Sequence, residues 1–262
     1  MCRLVGYIGA AVPLEAVVIA PPHSLLAQSR HARKLDEAVN GDGFGFAWYH
    51  PDSAEPGRYR DITPAWSDAN ILCLCRHIHS PLFVAHVRAA TDGEVARGNC
   101  HPFVDNRWSM VHNGHIGHFA LLRRALDALL SDELYAARVG TTDSELFFLL
   151  LLAHGLDTDP VGAIKRTLAA IRAAAATRGL TPQYRFSVLL SDGERLFGFR
   201  AATDPPAPTL FWHPWGKAGD AAGAVFASEP LDGSQGQWRP VPENMLFALR
   251  IGAAPQVIGA LG

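Results

Sequence analysis

Strand-like and helix-like segments fall into three blocks along this chain, and their order limits its fold more than any other feature. Arg3 to Gly9, Gly43 to Tyr49, Leu82 to Arg88 and Trp108 to His112 are short apolar runs that read as strands, the last cut by Asn113-Gly114. Between them, Asp52 to Arg60 reads as a polar loop with Pro56 and Gly57, and Asp68 to Ser80 as a helix ended by Pro81. Phe119 to Leu130, Thr142 to His154 and Val161 to Arg178 carry alanine, leucine and spaced apolar residues, which predicts three helices broken by Gly155 and Pro160. After Pro182 the pattern returns to strands at Arg185 to Ser191, Leu196 to Arg200, Thr209 to Trp212, Ala224 to Ala227 and Leu246 to Arg250. Asp192-Gly193 marks a tight hairpin between the first two. Strands, then helices, then strands predict an α+β or layered sandwich rather than a parallel doubly wound sheet. No linker divides the chain, so one domain over residues 1–262 is expected.

Composition removes several function classes. The 262 residues are 18% charged with a formal net charge of −2, so nothing draws nucleic acid or an anionic membrane to the chain. The longest uninterrupted apolar run, Leu146 to Ala153, stops well short of a membrane span. No basic start followed by an apolar stretch marks a secretory signal. Four cysteines in a chain this long do not make a disulfide framework, and a reducing cytoplasm is the natural expectation.

The chemistry begins at residue 2. The chain opens Met1-Cys2-Arg3-Leu4-Val5-Gly6, and removal of the initiator would leave a thiol and a free α-amine on one residue. Thiolate is the reactive form of cysteine, and an amine with an ordinary pKa of about 7.7–8.0 is suited to act as its base. The competing reading is that Cys2 simply begins a buried strand.

Four further segments carry candidate functional groups, each with a plainer structural reading beside it. Ala85 to Thr91 ends an apolar strand in Arg88, whose guanidinium fork suits a substrate carboxylate; otherwise it is a surface arginine at a strand end. Asn113 and Gly114 offer a side-chain amide and a backbone N–H to an oxyanion, or else a hairpin turn. Gly140 to Glu145 opens an apolar helix, where Thr141 or Thr142 caps and Asp143 is a candidate for holding an ammonium. Asn40-Gly41-Asp42-Gly43-Phe44-Gly45 allows close backbone approach to a ligand, or is a plain turn.

Taken in order, these pieces resemble the class II glutamine amidotransferases of the N-terminal-nucleophile hydrolase superfamily. The resemblance rests on the Met-Cys-Arg start, Asp42-Gly43-Phe44-Gly45, Val87 to Thr91, Cys100-His101-Pro102-Phe103, His112-Asn113-Gly114 and Thr142 to Glu145. It continues late in the chain at Ala227-Ser228-Glu229-Pro230 and Trp238 to Pro242. Within the family the chain is most similar to the short stand-alone subgroup that includes the ergothioneine-pathway γ-glutamyl amidase and the glutathione-degradation amidotransferase. The resemblance implies a four-layer αββα sandwich, Cys2 as nucleophile with its own α-amine as base, and Asn113 with Gly114 as oxyanion hole. It further implies Arg88 on the glutamine α-carboxylate, Asp143 on the α-ammonium and Thr91 lining the pocket. The implied reaction cleaves the γ-amide of glutamine or a γ-glutamyl compound through a thioester and releases glutamate, with no metal or organic cofactor. Amidotransferases of this class usually carry a second domain that consumes ammonia, and this chain has no room for one. Either a separate subunit accepts the ammonia or the reaction ends in hydrolysis.

Three other readings compete with this one. Cys73, Cys75, His77 and His79 invite zinc, but neither a helix nor a strand gathers them into a tetrahedron. Cys100 with a distant histidine would be a papain-like pair, without a supporting local signature. A non-catalytic binding or regulatory subunit on the same scaffold is the competing class, against which the retention of Cys2, Arg88, Asn113, Gly114 and Asp143 argues. His86, His112 and His115 either line the pocket or pack beside it.

Overall fold

The computed structural model describes residues 2–30, 39–90, 94–216, 223–232 and 237–261. Two antiparallel sheets stack face to face with helices outside each. The first sheet contains β1 (Arg3–Pro13), β2 (Phe44–Trp48), β3 (Gly57–Asp61), β4 (His79–Val87), β9 (Phe211–Trp215), β10 (Gly223–Ala227) and the short β11 (Arg239–Pro240). Its order is β11-β9-β10-β1-β4-β2-β3. The second, ordered β13-β12-β8-β7-β6-β5, contains β5 (Phe103–Asp105), β6 (Trp108–Ile116), β7 (Tyr184–Ser191), β8 (Leu196–Ala202), β12 (Met245–Leu249) and β13 (Gln256–Ala260). Helices α1 (Glu15–Val18), α2 (Leu25–Arg30) and α3 (Ile71–His77) cover the first sheet. The helices α4 (Phe119–Asp127), α5 (Asp132–Ala136), α6 (Asp143–Ala153) and α7 (Pro160–Ala176) follow β6, and α4, α6 and α7 cover the second sheet.

Alternation along β1 shows why the layers form. Val5 and Tyr7 point into the cluster under α1 to α3, whereas Leu4 and Ile8 point between the sheets with Val111, Leu189 and Leu196. Gly6 lies where the sheets approach closely: a Cβ there would sit 2.9 Å from Leu189 and 3.1 Å from Leu196. Helix α6 is apolar all round because it is covered all round, by β6 below and α4 and α7 beside it. The four-layer αββα sandwich expected from the resemblance is what these layers build.

Several local expectations need correction. Asn113-Gly114 does not cut a strand; β6 runs through it in unbroken register with β7, from Ser109 opposite Ser191 to Ile116 opposite Tyr184. Pro81 does not end a helix, since α3 stops at His77 and β4 begins at His79. Pro81 is tolerated within β4 because the pairing with β1 is irregular there, between Ile8 and Val12. The polar loop from Asp52 shortens, because Gly57 to Asp61 forms an edge strand paired with β2. The hairpin at Asp192-Gly193 does join β7 to β8, with Gly193 at a φ of +89°.

Candidate active site

Cys2 sits at the entrance to β1, half-buried between the ends of its neighbouring strands. Its Sγ lies 3.4 Å from the Ala89 backbone N–H and 3.5 Å from the Ala89 carbonyl oxygen, just past the end of β4. Burial pushes the thiol up from its ordinary range, while the Ala89 N–H and the guanidiniums of Arg88 and Arg3 pull the other way. A thiol in that balance needs a base close by to become a nucleophile.

The strand entrance is fastened by residues from the far end of the chain. Arg3 Nε and Nη2 donate to Glu229 Oε1 at 2.9 and 2.8 Å, and Nη1 donates to the Cys2 carbonyl at 2.9 Å. The other Glu229 oxygen meets His23 Nε2 at 2.8 Å. Ser228 closes the arrangement: its Oγ accepts from Leu4 N at 3.0 Å, and its own N–H donates to the Leu4 carbonyl at 3.0 Å. Burial opposes ionisation of Glu229, but the His23 hydrogen bond and the Arg3 guanidinium outweigh it and hold the carboxyl down to about 2. Ser228 and Glu229 belong to a segment that carried the resemblance, yet nothing local assigned them a task. The available signal was an arginine directly after the candidate nucleophile, which needs an acidic partner if buried.

Arg88 is also buried, and Asp42-Gly43 laces its backbone to the entrance of β2. Arg88 N donates to the Gly43 carbonyl at 2.8 Å, Asp42 N donates to the Arg88 carbonyl at 3.0 Å, and Ala90 N donates to Asp42 Oδ2 at 2.8 Å. Gly43 has a φ of +119°, and a Cβ there would lie 2.5 Å from Cys100 Sγ, so glycine is required. The Asn40 to Gly45 segment therefore supports Arg88 rather than merely turning the chain. Thr91, the other expected pocket residue on this segment, lies outside the described residues.

Opposite Cys2 stands the end of β6. Gly114 has a φ of +148°, and a Cβ would fall 1.8 Å from the Arg185 carbonyl oxygen, so no other residue fits. Asn113 is buried, and its Oδ1 has no hydrogen-bond partner. Asp143 opens α6, where Thr142 Oγ1 caps by accepting from Glu145 N at 3.3 Å. Asp143 Oδ2 accepts from Ile116 N at 2.7 Å, and Ser144 Oγ lies 3.3 Å from Oδ1 and 2.8 Å from His112 Nδ1. Burial pushes the Asp143 carboxyl up, against the opposing pull of the Ile116 and Ser144 hydrogen bonds. A carboxylate so placed gains from a cationic partner.

These parts meet in one small cavity of about 40 Å³, whose walls include Cys2, Arg88, Ala89, Gly114, Thr142 and Asp143. His101, His112 and His115 also contribute to the lining, and His86 packs behind with its ring 4.1 Å from that of His101. His101 was not anticipated; only its place in Cys100-His101-Pro102-Phe103 hinted at it. Burial pushes His86 and His112 down to about 3 and His101 well below its usual range. All three are therefore neutral imidazoles near pH 7; His86 Nε2 meets the His112 carbonyl at 3.1 Å and His112 Nδ1 meets Ser144 Oγ, whereas both His101 ring nitrogens are buried without a partner. Cys100 is buried, with its Sγ 3.4 Å from the Asp61 carbonyl and 3.6 Å from that of Ala96, which does not suit a papain-like pair. Cys73 is exposed and Cys75 buried, so these two thiols do not converge.

The two stacked sheets, with Cys2 at the entrance to β1, make the αββα fold of the N-terminal-nucleophile hydrolase type. The chain belongs to the class II glutamine amidotransferases, whose family model matches residues 22–219. It is similar to the γ-glutamyl-hercynylcysteine sulfoxide hydrolase of Mycobacterium tuberculosis, with 31% identity over 94% of this chain and 91% of that protein. A probable glutamine amidotransferase of Saccharomyces cerevisiae is 38% identical over 58% of the chain, which spans only 45% of that relative's length. Among solved structures, a glutamine aminotransferase class-II domain protein from Silicibacter pomeroyi superposes with a TM-score of 0.74 at 33% identity, covering 98% of this chain and 99% of that one. The glutamine phosphoribosylpyrophosphate amidotransferase of Bacillus subtilis shares the fold at 15% identity, with a TM-score of 0.67 over all of this chain and 49% of that one. No helix among the described residues is long and apolar enough to cross a membrane.

Proposed function

We propose that this chain, as a single domain, hydrolyses the γ-amide of glutamine or of a γ-glutamyl compound through a thioester on Cys2. The observation that carries the reading is the convergence of Cys2, Arg88, Gly114 and Asp143 on one cavity. Arg88 takes the α-carboxylate of the glutamyl group and Asp143 its α-ammonium, which places the γ-carbonyl against the thiol. The α-amine of Cys2, exposed once the initiator is removed, accepts the thiol proton as sulfur attacks the carbonyl carbon. Negative charge on the tetrahedral oxygen is stabilised by the Gly114 N–H and the Asn113 side-chain amide. The same amine returns the proton to the leaving nitrogen as the C–N bond breaks. Water, deprotonated by the amine, then cleaves the thioester and releases glutamate. Apart from substrate and water, every step uses groups of the chain itself, and the substrate is a small molecule.

Mass spectrometry with a glutamine-analogue electrophile tests the reading. A single adduct on Cys2, in protein whose intact mass lacks the initiator methionine, is expected. Absence of both adduct and glutamate release would favour a binding subunit on the same scaffold, and full activity in protein that retains Met1 would refute the α-amine as base.

A further inference from the structure

His101 lines the cavity around Cys2, just ahead of β5, and is 4% exposed. Its ring is fixed by the His86 ring at 4.1 Å and by Phe103, which meets it edge-on at 4.6 Å. The backbone is held as closely: a Cβ on Gly45 would lie 2.3 Å from the His101 carbonyl oxygen, and Arg60 Nη1 donates to the Cys100 carbonyl at 2.8 Å. Yet neither ring nitrogen has a hydrogen-bond partner among the described residues. The neighbouring polar side chains of this wall are committed within the protein. Asn99 Oδ1 accepts from Thr141 N at 2.8 Å, and its Nδ2 donates to the Glu94 carbonyl at 3.0 Å. Thr142 Oγ1 caps α6, and Ser144 Oγ lies between Asp143 and His112. His112 keeps only Nε2, packed so close to Gly114 that a Cβ there would lie 2.9 Å from it.

A neutral imidazole presents one N–H donor and one lone pair, and burying both unpaired costs free energy. In the reaction above, Arg88 and Asp143 meet the charges of the glutamyl group, and Asn113 with Gly114 meets the oxyanion. The water of the second half-reaction has the α-amine alone for a partner, although a water held for attack needs at least two. We propose that His101 holds this water against the thioester, its ring lone pair accepting one water hydrogen while the Cys2 α-amine takes the other as a proton. The proposal rests on the hydrolase reading and gives the same site a further working residue. The water oxygen adds to the thioester carbonyl carbon, the C–S bond breaks, and the ammonium returns its proton to sulfur as the γ-carboxylic acid leaves. His101 itself neither gains nor loses a proton. Water enters only after the amine product has gone, so His101 acts on thioester hydrolysis and not on thioester formation.

Added hydroxylamine competes with water for the thioester, which makes the test independent of the step that limits turnover. The quantity measured is the ratio of γ-glutamyl hydroxamate to glutamate formed from glutamine, beside kcat/KM for glutamine consumption. His101→Phe keeps a ring against His86 but removes both nitrogens. It should raise the ratio about tenfold, as loss of one hydrogen bond to the water does, and leave kcat/KM within about twofold of the parent. His101→Leu removes the same atoms with less bulk and should behave alike. His101→Gln restores a donor and an acceptor and should bring the ratio back to within about threefold of the parent. An unchanged ratio in each nitrogen-free variant that folds by circular dichroism, whether or not kcat/KM falls, refutes the water role and leaves the hydrolase reading standing. If the parent forms neither glutamate nor hydroxamate, the hydrolase reading fails and the role of His101 falls with it.

Discussion

Glu229→Gln should weaken the whole fold measurably, although Glu229 lies outside the reaction cavity. The substitution keeps the shape and one acceptor oxygen but removes the charge that faces the buried Arg3 guanidinium at 2.8 Å. Arg3 and Glu229 are 4% and 1% exposed, so water cannot replace the lost carboxylate. Breaking a buried pair from one side typically costs about 3–5 kcal/mol. The carboxyl itself supplies a second route to the magnitude: it is held at about 2 against an ordinary 4.5. At about 1.36 kcal/mol per unit this is about 3 kcal/mol of native-state preference for the ionised form. The two routes agree, and the loss is a large share of a typical stability of about 5–15 kcal/mol. For a domain of this size it corresponds to a melting temperature lower by about 6–12 °C near pH 7. The pH dependence has a definite sign. A carboxyl with a depressed folded pKa stabilises fully above its unfolded value and loses that contribution as pH falls through the folded one. The gap between the parent and Glu229→Gln should therefore be constant from pH 7 down to about 5 and shrink to less than half by about pH 3. Thermal unfolding followed by circular dichroism across that range is the assay. A melting difference below about 2 °C at pH 7, or a gap that does not narrow in acid, would refute the claim that this ion pair fastens the β1 entrance. Because Arg3 also holds the Cys2 carbonyl, kcat should fall more than KM changes.

The other outcomes are more local. Cys2→Ala should abolish glutamate release with the fold retained, and Cys100→Ala should not; the reverse pattern, read by the same assay and a circular dichroism spectrum, would reinstate the papain-like pair. Removing the Arg88 or Asp143 side chain should cost about 2–5 kcal/mol in substrate binding, and Arg88→Lys should remain clearly impaired because the fork is lost. Comparable turnover of N-acetylated or carboxyl-amidated glutamine would instead make those two residues structural. Gly114→Ala should destabilise by more than about 1 kcal/mol in urea titrations, since the new methyl meets the Arg185 carbonyl at 1.8 Å and glycine's positive φ is lost.

Residue chemistry was legible in the chain itself. Cys2, Arg88, Gly114 and Asp143 stood out as candidates because few groups, side chain or backbone, suit a nucleophile, a carboxylate fork, an oxyanion donor and an ammonium partner, and the structure brings these four to one cavity. The cap of α6 and the β7–β8 hairpin were also local matters, decided by Thr142 and by Gly193 within a few residues of each. Tertiary structure decided the rest. Asn113-Gly114 has the preferences of a turn, but β7 pairs through it, and the ladder outweighs local propensity. Pro81 reads as a helix stop until an irregularity in β1 leaves it a place in β4. Arg3 and Glu229 are 226 residues apart, and no spacing rule connects them. Their pairing follows from β10 lying beside β1, which carries Ser228 and Glu229 to the strand entrance. Local preferences act through neighbouring backbone dihedrals, so they can be read along the chain. A buried charge is satisfied only by whatever the packed sheets bring within reach.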